Sequence, residues 1–319
     1  MVQTLYLILK TARPRQWLKN FAVFAPLVFS GFFFYQFPHY FQRVIETFIL
    51  FSVLSSSIYI INDIVDRESD RKHPFKKKRP IASGKLSPFV AGLFATLGIS
   101  LALLIAAKLS IFLLGIMGLY FVLQVAYSFQ LKHIAILDVL SIAAGFILRV
   151  YAGAVVVNLH MSVWFLLTVI SASLFLAVGK RQSERTLLSS APDAKGFSTR
   201  KSLDKYSVRL LDIYTGMFAN ATWLTYSLFA FQHDSTISSG NIPTLLAYIP
   251  RAFTAQKWLM LTVPLVIYGV MRYLQLVYES NQGESPERVL LNDKPLLGTA
   301  VVWGVSVMVI IYVLDAIAL

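Results

Sequence analysis

Three aspartates and an asparagine in the run Asn62-Asp63-Ile64-Val65-Asp66-Arg67-Glu68-Ser69-Asp70 carry the clearest chemistry in the sequence. On a helix, Asp63, Asp66 and Asp70 are spaced i, i+3, i+7 and share one face. Asn62, Asp66 and Asp70, at i, i+4, i+8, fall on nearly the same stripe. Donors that are all oxygen favour a hard cation, Mg2+ or Ca2+, over zinc or copper. Mg2+ commonly takes one or two carboxylates and completes its octahedron with water and substrate phosphates. The bland alternative is a solvated helix end with surface pairs such as Asp70–Arg71 and Glu68–Lys72. Against it, carboxylates stacked on one face at a membrane boundary repel one another unless a cation holds them.

Cations follow at once, in Lys72-His73-Pro74-Phe75-Lys76-Lys77-Lys78-Arg79-Pro80-Ile81-Ala82-Ser83-Gly84. Carboxylates beside Lys and Arg suit a metal–diphosphate: the aspartates hold the metal, and cations such as Lys76 and Arg79 hold phosphate oxygens. Pro80 and Gly84 imply a fixed turn around Arg79, and His73 reads as structural. Two further positions stand out. Arg149 lies deep in an apolar stretch, where an arginine is costly and needs a polar cavity or partner. A phosphate is one candidate, and Asp138, eleven residues earlier on the same helix face, is the other. Lys180-Arg181 would form a second phosphate clamp at a helix end facing the aspartates, although Lys180 and Glu184 are also spaced to pair on the helix surface.

The elements that must position these residues are apolar. Of 319 residues 56% are apolar and only 14% charged, against about a quarter charged in an average globular chain. This excludes a disordered protein and argues against a soluble enzyme. The absence of Cys excludes a disulfide scaffold, a thiolate zinc site and a cysteine nucleophile. Stretches near the 20 residues that a bilayer requires are predicted at Phe21–Phe37, Val44–Ile64, Phe89–Ala107, Ile111–Phe129, Ile136–Val157, Val163–Gly179, Leu210–Phe231, Trp258–Tyr278 and Leu296–Ala318. Residues 1–20 form an amphipathic basic segment, with Leu5, Leu7, Ile8, Leu9, Trp17 and Leu18 fitted to the membrane surface. Lys10, Arg13, Arg15 and Lys19 interrupt it, and no cleavable signal peptide is expected.

With the N-terminus in the cytoplasm, the inner side holds 24 Lys/Arg and the outer side four, Arg43, Lys108, Arg251 and Lys257. That asymmetry predicts nine spans in one membrane-embedded catalytic domain over residues 1–319, with an outer C-terminus. It also explains most of the net charge of +13 without nucleic acid. The inner charge concentrates in two loops, 65–87 and 180–209.

The pattern Asn-Asp-x-x-Asp-x-x-x-Asp followed by Arg-Pro-x-x-x-Gly-x-x-Ser, between the second and third spans, resembles the UbiA-type membrane prenyltransferase superfamily. The resemblance implies an all-α helical bundle around a cytoplasm-facing active-site cavity. Tyr127-Ser128 and Leu131-Lys132 look like that superfamily's Tyr-Ser…Leu-Lys segment, so Tyr127 would line the cavity and Lys132 hold a diphosphate oxygen; interfacial anchoring of both is the alternative. The superfamily's second Asp-x-x-x-Asp is missing near Lys180, where the chain is basic instead.

Arg13-Pro14-Arg15-Gln16-Trp17-Leu18-Lys19-Asn20, Gly145-Phe146-Ile147-Leu148-Arg149, Gly179-Lys180-Arg181 and Gly283-Glu284-x-Pro286-Glu287 are similar to a phosphoribosyl-transferring branch of the superfamily. That branch moves 5-phosphoribose from phosphoribosyl pyrophosphate (PRPP) to a polyprenyl (decaprenyl) phosphate, and its product feeds arabinan precursors of the cell envelope. The resemblance implies Mg2+ held by Asn62, Asp63, Asp66 and Asp70. It also implies Lys19, Lys132, Arg149, Lys180 and Arg181 sharing the phosphates, and a cell-membrane location. A lipid phosphate is already anionic, so no general base is required. Two alternatives remain open. One is prenyl transfer from a prenyl diphosphate to an aromatic or other small acceptor, disfavoured by the missing second aspartate motif. The other is a lipid or small-molecule transporter, disfavoured by the lack of an internal repeat. A homo-oligomer is compatible with all of these.

Overall fold

The computed structural model describes residues 2–34, 38–72, 76–190, 202–233, 257–279 and 286–314. Among them every regular element is helical. The chain divides into two compact units, one of Met1–Leu27, Pro38–Leu159 and Asp193–Asp204, the other of Val28–Phe37, His160–Pro192 and Lys205–Leu319. Of the expected features, His73 and most of the outer loop 233–257 lie outside the described residues.

The first unit begins with α1 (Val2–Thr11) and a 3-10 segment, Pro14–Phe24. It continues with α3 (Pro38–Val65), α4 (Arg67–Lys72), α5 (Pro88–Leu109), α6 (Ile111–Phe129) and α7 (Leu137–Val156), while α2 (Ala25–Val28) is a single turn. The α3–α5 pairing shows which solvent the fold is built for. The inner face of α5 is a stripe of small residues, with Ala91, Ala95, Ala102 and Ala106 buried. Gly98 continues that stripe, and a Cβ built there would meet Ser57 Oγ of α3 at 2.4 Å. The outer face carries Phe89, Leu93, Leu97, Leu101 and Leu104, each more than half exposed. Water would reverse this order. In lipid, leucine gains nothing by leaving the hydrocarbon, and helices join where small residues let their backbones approach.

The second unit pairs α8 (Val163–Ser190) with α9 (Val208–Gln232) and adds α10 (Val263–Tyr278), α11 (Pro286–Asn292) and α12 (Lys294–Met308). Its core joins Phe175, Ala219, Val270, Tyr273, Leu276, Val277, Val289 and Leu296. Asp293 caps α12 by accepting from the Leu296 N–H at 2.9 Å. The Arg272 guanidinium grips the same carboxylate at 3.2 and 2.7 Å and holds it below the usual carboxylate range.

Among the described residues, seven segments are long and apolar enough to cross a bilayer, His39–Val65, Pro88–Leu109, Ile111–Phe129, Leu137–Val156, Val163–Thr186, Trp258–Tyr278 and Lys294–Val313. They coincide with seven of the nine predicted stretches, and the chain is a multi-pass membrane protein. Of the other two, one is a helix outside that set and one departs from the structure. Leu210–Phe231 is helical within α9, but Asp212, Thr215, Asn220, Thr222 and Thr225 keep it outside that set. Phe21–Phe37 is not one helix: the chain runs as a 3-10 segment to Phe24 and as α2 only to Val28, and residues 35–37 lie outside the described residues.

The 3-10 segment is held by polar bonds that apolarity does not foretell. Trp17 Nε1 donates to Ser56 Oγ at 2.9 Å, and Asn20 Nδ2 to Ser52 Oγ at 3.0 Å. On its other side α7 comes so close that a Cβ on Gly153 would stand 1.9 Å from the Val23 carbonyl oxygen. Gly153→Ala should therefore force the two backbones apart and cost about 1–3 kcal/mol, read as a lower melting temperature in detergent. An unchanged melt would mean that the close approach contributes nothing.

Candidate active site

The three aspartates occupy the C-terminal end of α3 and its continuation. Asp66 interrupts regular helix, yet the Asp66 N–H still donates to Asn62 O at 2.9 Å and the Asp70 N–H to Asp66 O at 2.8 Å. Helical spacing is thus kept from Asn62 to Asp70. Asp63 and Asp70 are buried, and Asn62 and Asp66 are half-buried.

A buried carboxylate needs a charged partner, and both buried ones share Arg79. Its Nη1 donates to Asp63 Oδ1 at 3.1 Å and to Asp70 Oδ2 at 2.6 Å. The turn that delivers Arg79 is built by local bonds. The Arg79 N–H donates to Lys76 O, Ser83 N–H to Arg79 O, and Leu86 N–H to Pro80 O. Gly84 takes a φ of +77°, a left-handed conformation natural to glycine. Ile81 and Leu86 anchor the turn among Ile8, Ile60, Ala91 and Ala95, and Arg71 Nε donates to Ala82 O at 3.1 Å. The surface pair Arg71–Glu68 at 3.2 Å is exposed and adds little.

A second arginine reaches the same carboxylate, one that spacing along the sequence does not single out. Arg13 Nη2 also donates to Asp63 Oδ1, and its guanidinium lies over the Tyr59 ring, 5.2 Å from the centroid. Arg13 sits in the left-handed region, φ 53° and ψ 64°, which costs a side-chain-bearing residue roughly 1–2 kcal/mol. The third aspartate, Asp66, lies 3.6 Å from Lys132 Nζ. Asp63, Asp66 and Asp70 are matched, contact by contact, by Arg13, Arg79 and Lys132.

The other expected site residues are placed as follows. Lys76 opens the short 3-10 turn Lys76–Lys78, Lys19 lies half-buried on the 3-10 segment, and Tyr127 is half-buried near the end of α6. Arg149 does not pair with Asp138. Its Nε donates to Asn20 Oδ1 at 2.7 Å, Nη1 to Gly145 O at 2.8 Å and Nη2 to Tyr120 OH at 2.7 Å. The Tyr120 ring packs 4.8 Å from the guanidinium, and Arg149 is 4% exposed. Every guanidinium nitrogen is thus engaged, so Arg149 is a pin between α6, α7 and the 3-10 segment, not a group open to phosphate. Asp138 lies beside Ser202, 3.3 Å from its Oγ. Between Lys132 and Asp138, Ile136 holds a φ of 72°, a strained value for a β-branched residue.

In the second unit, Lys180 and Arg181 are not at a helix end, because α8 continues to Ser190. Arg181 is fully buried and donates to Glu184 Oε2 at 2.6 Å; this i, i+3 pair and good helix formers carry the helix onward. Around them Asp212 accepts from Gln182 Nε2 at 2.8 Å and from Tyr278 OH at 2.9 Å.

The donors at the end of α3 fit a hard divalent cation. Two buried carboxylate oxygens aim at one cationic nitrogen, that of Arg79. Among the described residues, however, no three Asp, Glu or His side chains stand close enough to hold a metal by themselves. Asn62, Asp63, Asp66 and Asp70 can therefore supply only part of an octahedron, which suits Mg2+ completed by water and phosphate.

The pin makes a measurable claim. Arg149→Leu and Asn20→Ala should each lower stability by about 1–3 kcal/mol. The double variant should cost less than the two together, with a coupling of about 0.5–3 kcal/mol. Strict additivity in thermal or denaturant melts would show that the two residues act apart.

The family model described as the UbiA prenyltransferase family matches residues 23–292. A decaprenyl-phosphate phosphoribosyltransferase of Mycolicibacterium smegmatis is 35% identical over 303 residues, 93% of this chain and 89% of the relative. One of Corynebacterium glutamicum is 32% identical over 316 residues, 96% of this chain and 87% of the relative. Among solved structures, a UbiA homolog from Archaeoglobus fulgidus bound to GPP and Mg2+ superposes with a TM-score of 0.68 at 17% identity, covering 95% of this chain and 99% of that one. Motif, helical fold and full-length similarity agree: the chain belongs to the UbiA prenyltransferase family.

Proposed function

We propose that this protein transfers 5-phosphoribose from PRPP to a polyprenyl phosphate such as decaprenyl phosphate, releasing pyrophosphate. The observation that carries this reading is the 35% identity, over 93% of the chain, to a relative named for that reaction. The site's chemistry agrees with it. In the transfer the bond from C1 of ribose to pyrophosphate oxygen breaks, and a bond from C1 to a lipid phosphate oxygen forms. The nucleophile arrives ionised, so no proton must be removed from it.

Asp63, Asp66 and Asp70, with Asn62, would hold Mg2+. When bound, the ion supplies positive charge to the leaving pyrophosphate. Arg79, Lys132, Lys76 and Lys19 would bind phosphate oxygens; because charge grows on pyrophosphate as the C1–O bond breaks, they stabilise the transition state more than the ground state. Arg149 acts by positioning, since it fixes Asn20 and hence the segment that carries Lys19. The nine-span reading, with the N-terminus and active-site cavity in the cytoplasm, is supported by the segregation of Lys and Arg.

The test is incubation of purified protein with labelled PRPP, Mg2+ and decaprenyl phosphate, followed by extraction. Label in the organic phase that disappears with a chelator is the expected result. Asp66→Ala should lower the rate by about a hundredfold or more. No transfer from PRPP, together with transfer of a prenyl group from a prenyl diphosphate to an aromatic acid, would overturn the phosphoribosyl reading and leave the family assignment intact.

A further inference from the structure

Asp63, Asp66 and Asp70 have no vacant charge to offer a free cation. Arg13 and Arg79 both contact Asp63 Oδ1, Arg79 also contacts Asp70 Oδ2, and Lys132 stands 3.6 Å from Asp66 Oδ1. Three carboxylates face three cations, so the cluster is formally neutral before any substrate arrives. A bare divalent ion entering it would have to displace guanidinium groups from buried oxygens and leave two excess positive charges there. It would also find an incomplete shell, since no three carboxylate or imidazole groups of the described residues converge on one point.

A divalent ion that arrives on a diphosphate meets neither obstacle. The diphosphate supplies the missing oxygen ligands, and its anionic oxygens give the displaced guanidinium groups new partners. We infer that Arg13 and Arg79 are placeholder cations: they hold the aspartates in the substrate-free protein, transfer to the diphosphate when it binds, and so make the protein take its divalent cation together with a diphosphate instead of before it.

Arg13 is the residue this inference adds to the site. Its guanidinium contacts the Asp63 carboxylate, its side chain is 32% exposed, and its backbone sits in the left-handed region. Arg79, by contrast, belongs to a bonded turn and spans two aspartates. Arg13 is therefore the group freer to change partners. A salt bridge kept for fold stability alone predicts nothing about the order in which metal and substrate load.

The inference rests on the aspartates being the metal-holding group of the proposed reaction, yet it concerns binding to the resting protein and can fail separately. Mn2+ binding is measured by electron paramagnetic resonance on the full chain in detergent, without turnover, first alone and then with PRPP or geranyl diphosphate. Wild type should bind Mn2+ weakly alone and at least about tenfold more tightly with a diphosphate. Arg13→Gln should strengthen binding of Mn2+ alone by about tenfold, while raising KM for PRPP. Arg13→Lys, which keeps the charge, should restore weak binding of Mn2+ alone. If Arg13→Gln does not fold, Arg79→Gln carries the same expectation. Tight Mn2+ binding by wild type without diphosphate, or no gain in the glutamine variants, overturns the inference while leaving a PRPP-dependent activity untouched. Enhancement by geranyl diphosphate but not by PRPP upholds it and removes the phosphoribosyl reading instead.

Discussion

Everything in the first unit answers to one constraint: a charge withdrawn from water at the edge of a bilayer must be paired within the protein. Asp63 and Asp70 are buried at the end of an apolar helix, where an unpartnered carboxylate would lose its hydration with no compensation. Arg79 meets both through a single nitrogen, and Arg13 meets Asp63 from another segment. To bring these guanidinium groups in, the chain needs the tight turn after Lys76, the apolar anchors Ile81 and Leu86, and a left-handed residue before the 3-10 segment. The backbone features around the aspartates are consequences of that pairing.

The same constraint recurs one layer deeper with opposite sign. Arg149 is a buried cation among apolar helices, and it is matched by dipoles: the Asn20 amide, the Gly145 carbonyl and the Tyr120 hydroxyl, with aromatic faces alongside. Asn20 in turn donates to the serines of α3. One polar network thereby links α3, α6, α7 and the 3-10 segment, while the surrounding helices associate through alanine and glycine. Apolar burial cannot specify register in lipid as it does in water. Close approach at Gly98 and Gly153 and the directional bonds of Arg149 supply that specificity.

This division explains which parts of the protein were legible in the sequence. Helix periodicity places Asp63, Asp66 and Asp70 on one face, and a run of apolar residues marks a spanning helix, because both signals are local. Seven of the nine predicted stretches accordingly coincide with long apolar helices. The failures are non-local. Asn20 and Arg149 are 129 residues apart, so the sequence offers the buried arginine only a phosphate or Asp138, on its own helix, as partner. Arg13 is fifty residues from Asp63, and nothing in its neighbourhood marks it as an aspartate's partner. The stretch starting at Phe21 is apolar enough to suggest a helix, but polar bonds from Trp17 and Asn20 hold the preceding residues in 3-10 form. Lys180 and Arg181 look like the end of a span because charge begins there. The helix continues because Arg181 is neutralised one turn on by Glu184.

The placement of the cations also bears on how one scaffold can serve different diphosphates. In the proposed reaction the aspartates at the end of α3 would hold the metal and be indifferent to what the diphosphate carries. Arg79 and Lys132, which touch those aspartates, are equally indifferent. Discrimination between a sugar and a prenyl chain must therefore arise away from the α3 cluster, among residues that meet the transferred group or its acceptor. In the second unit α8 carries Lys180 and the Arg181–Glu184 pair, and Asp212 of α9 is bonded to Gln182 and Tyr278. That arrangement offers cations without a second set of stacked aspartates.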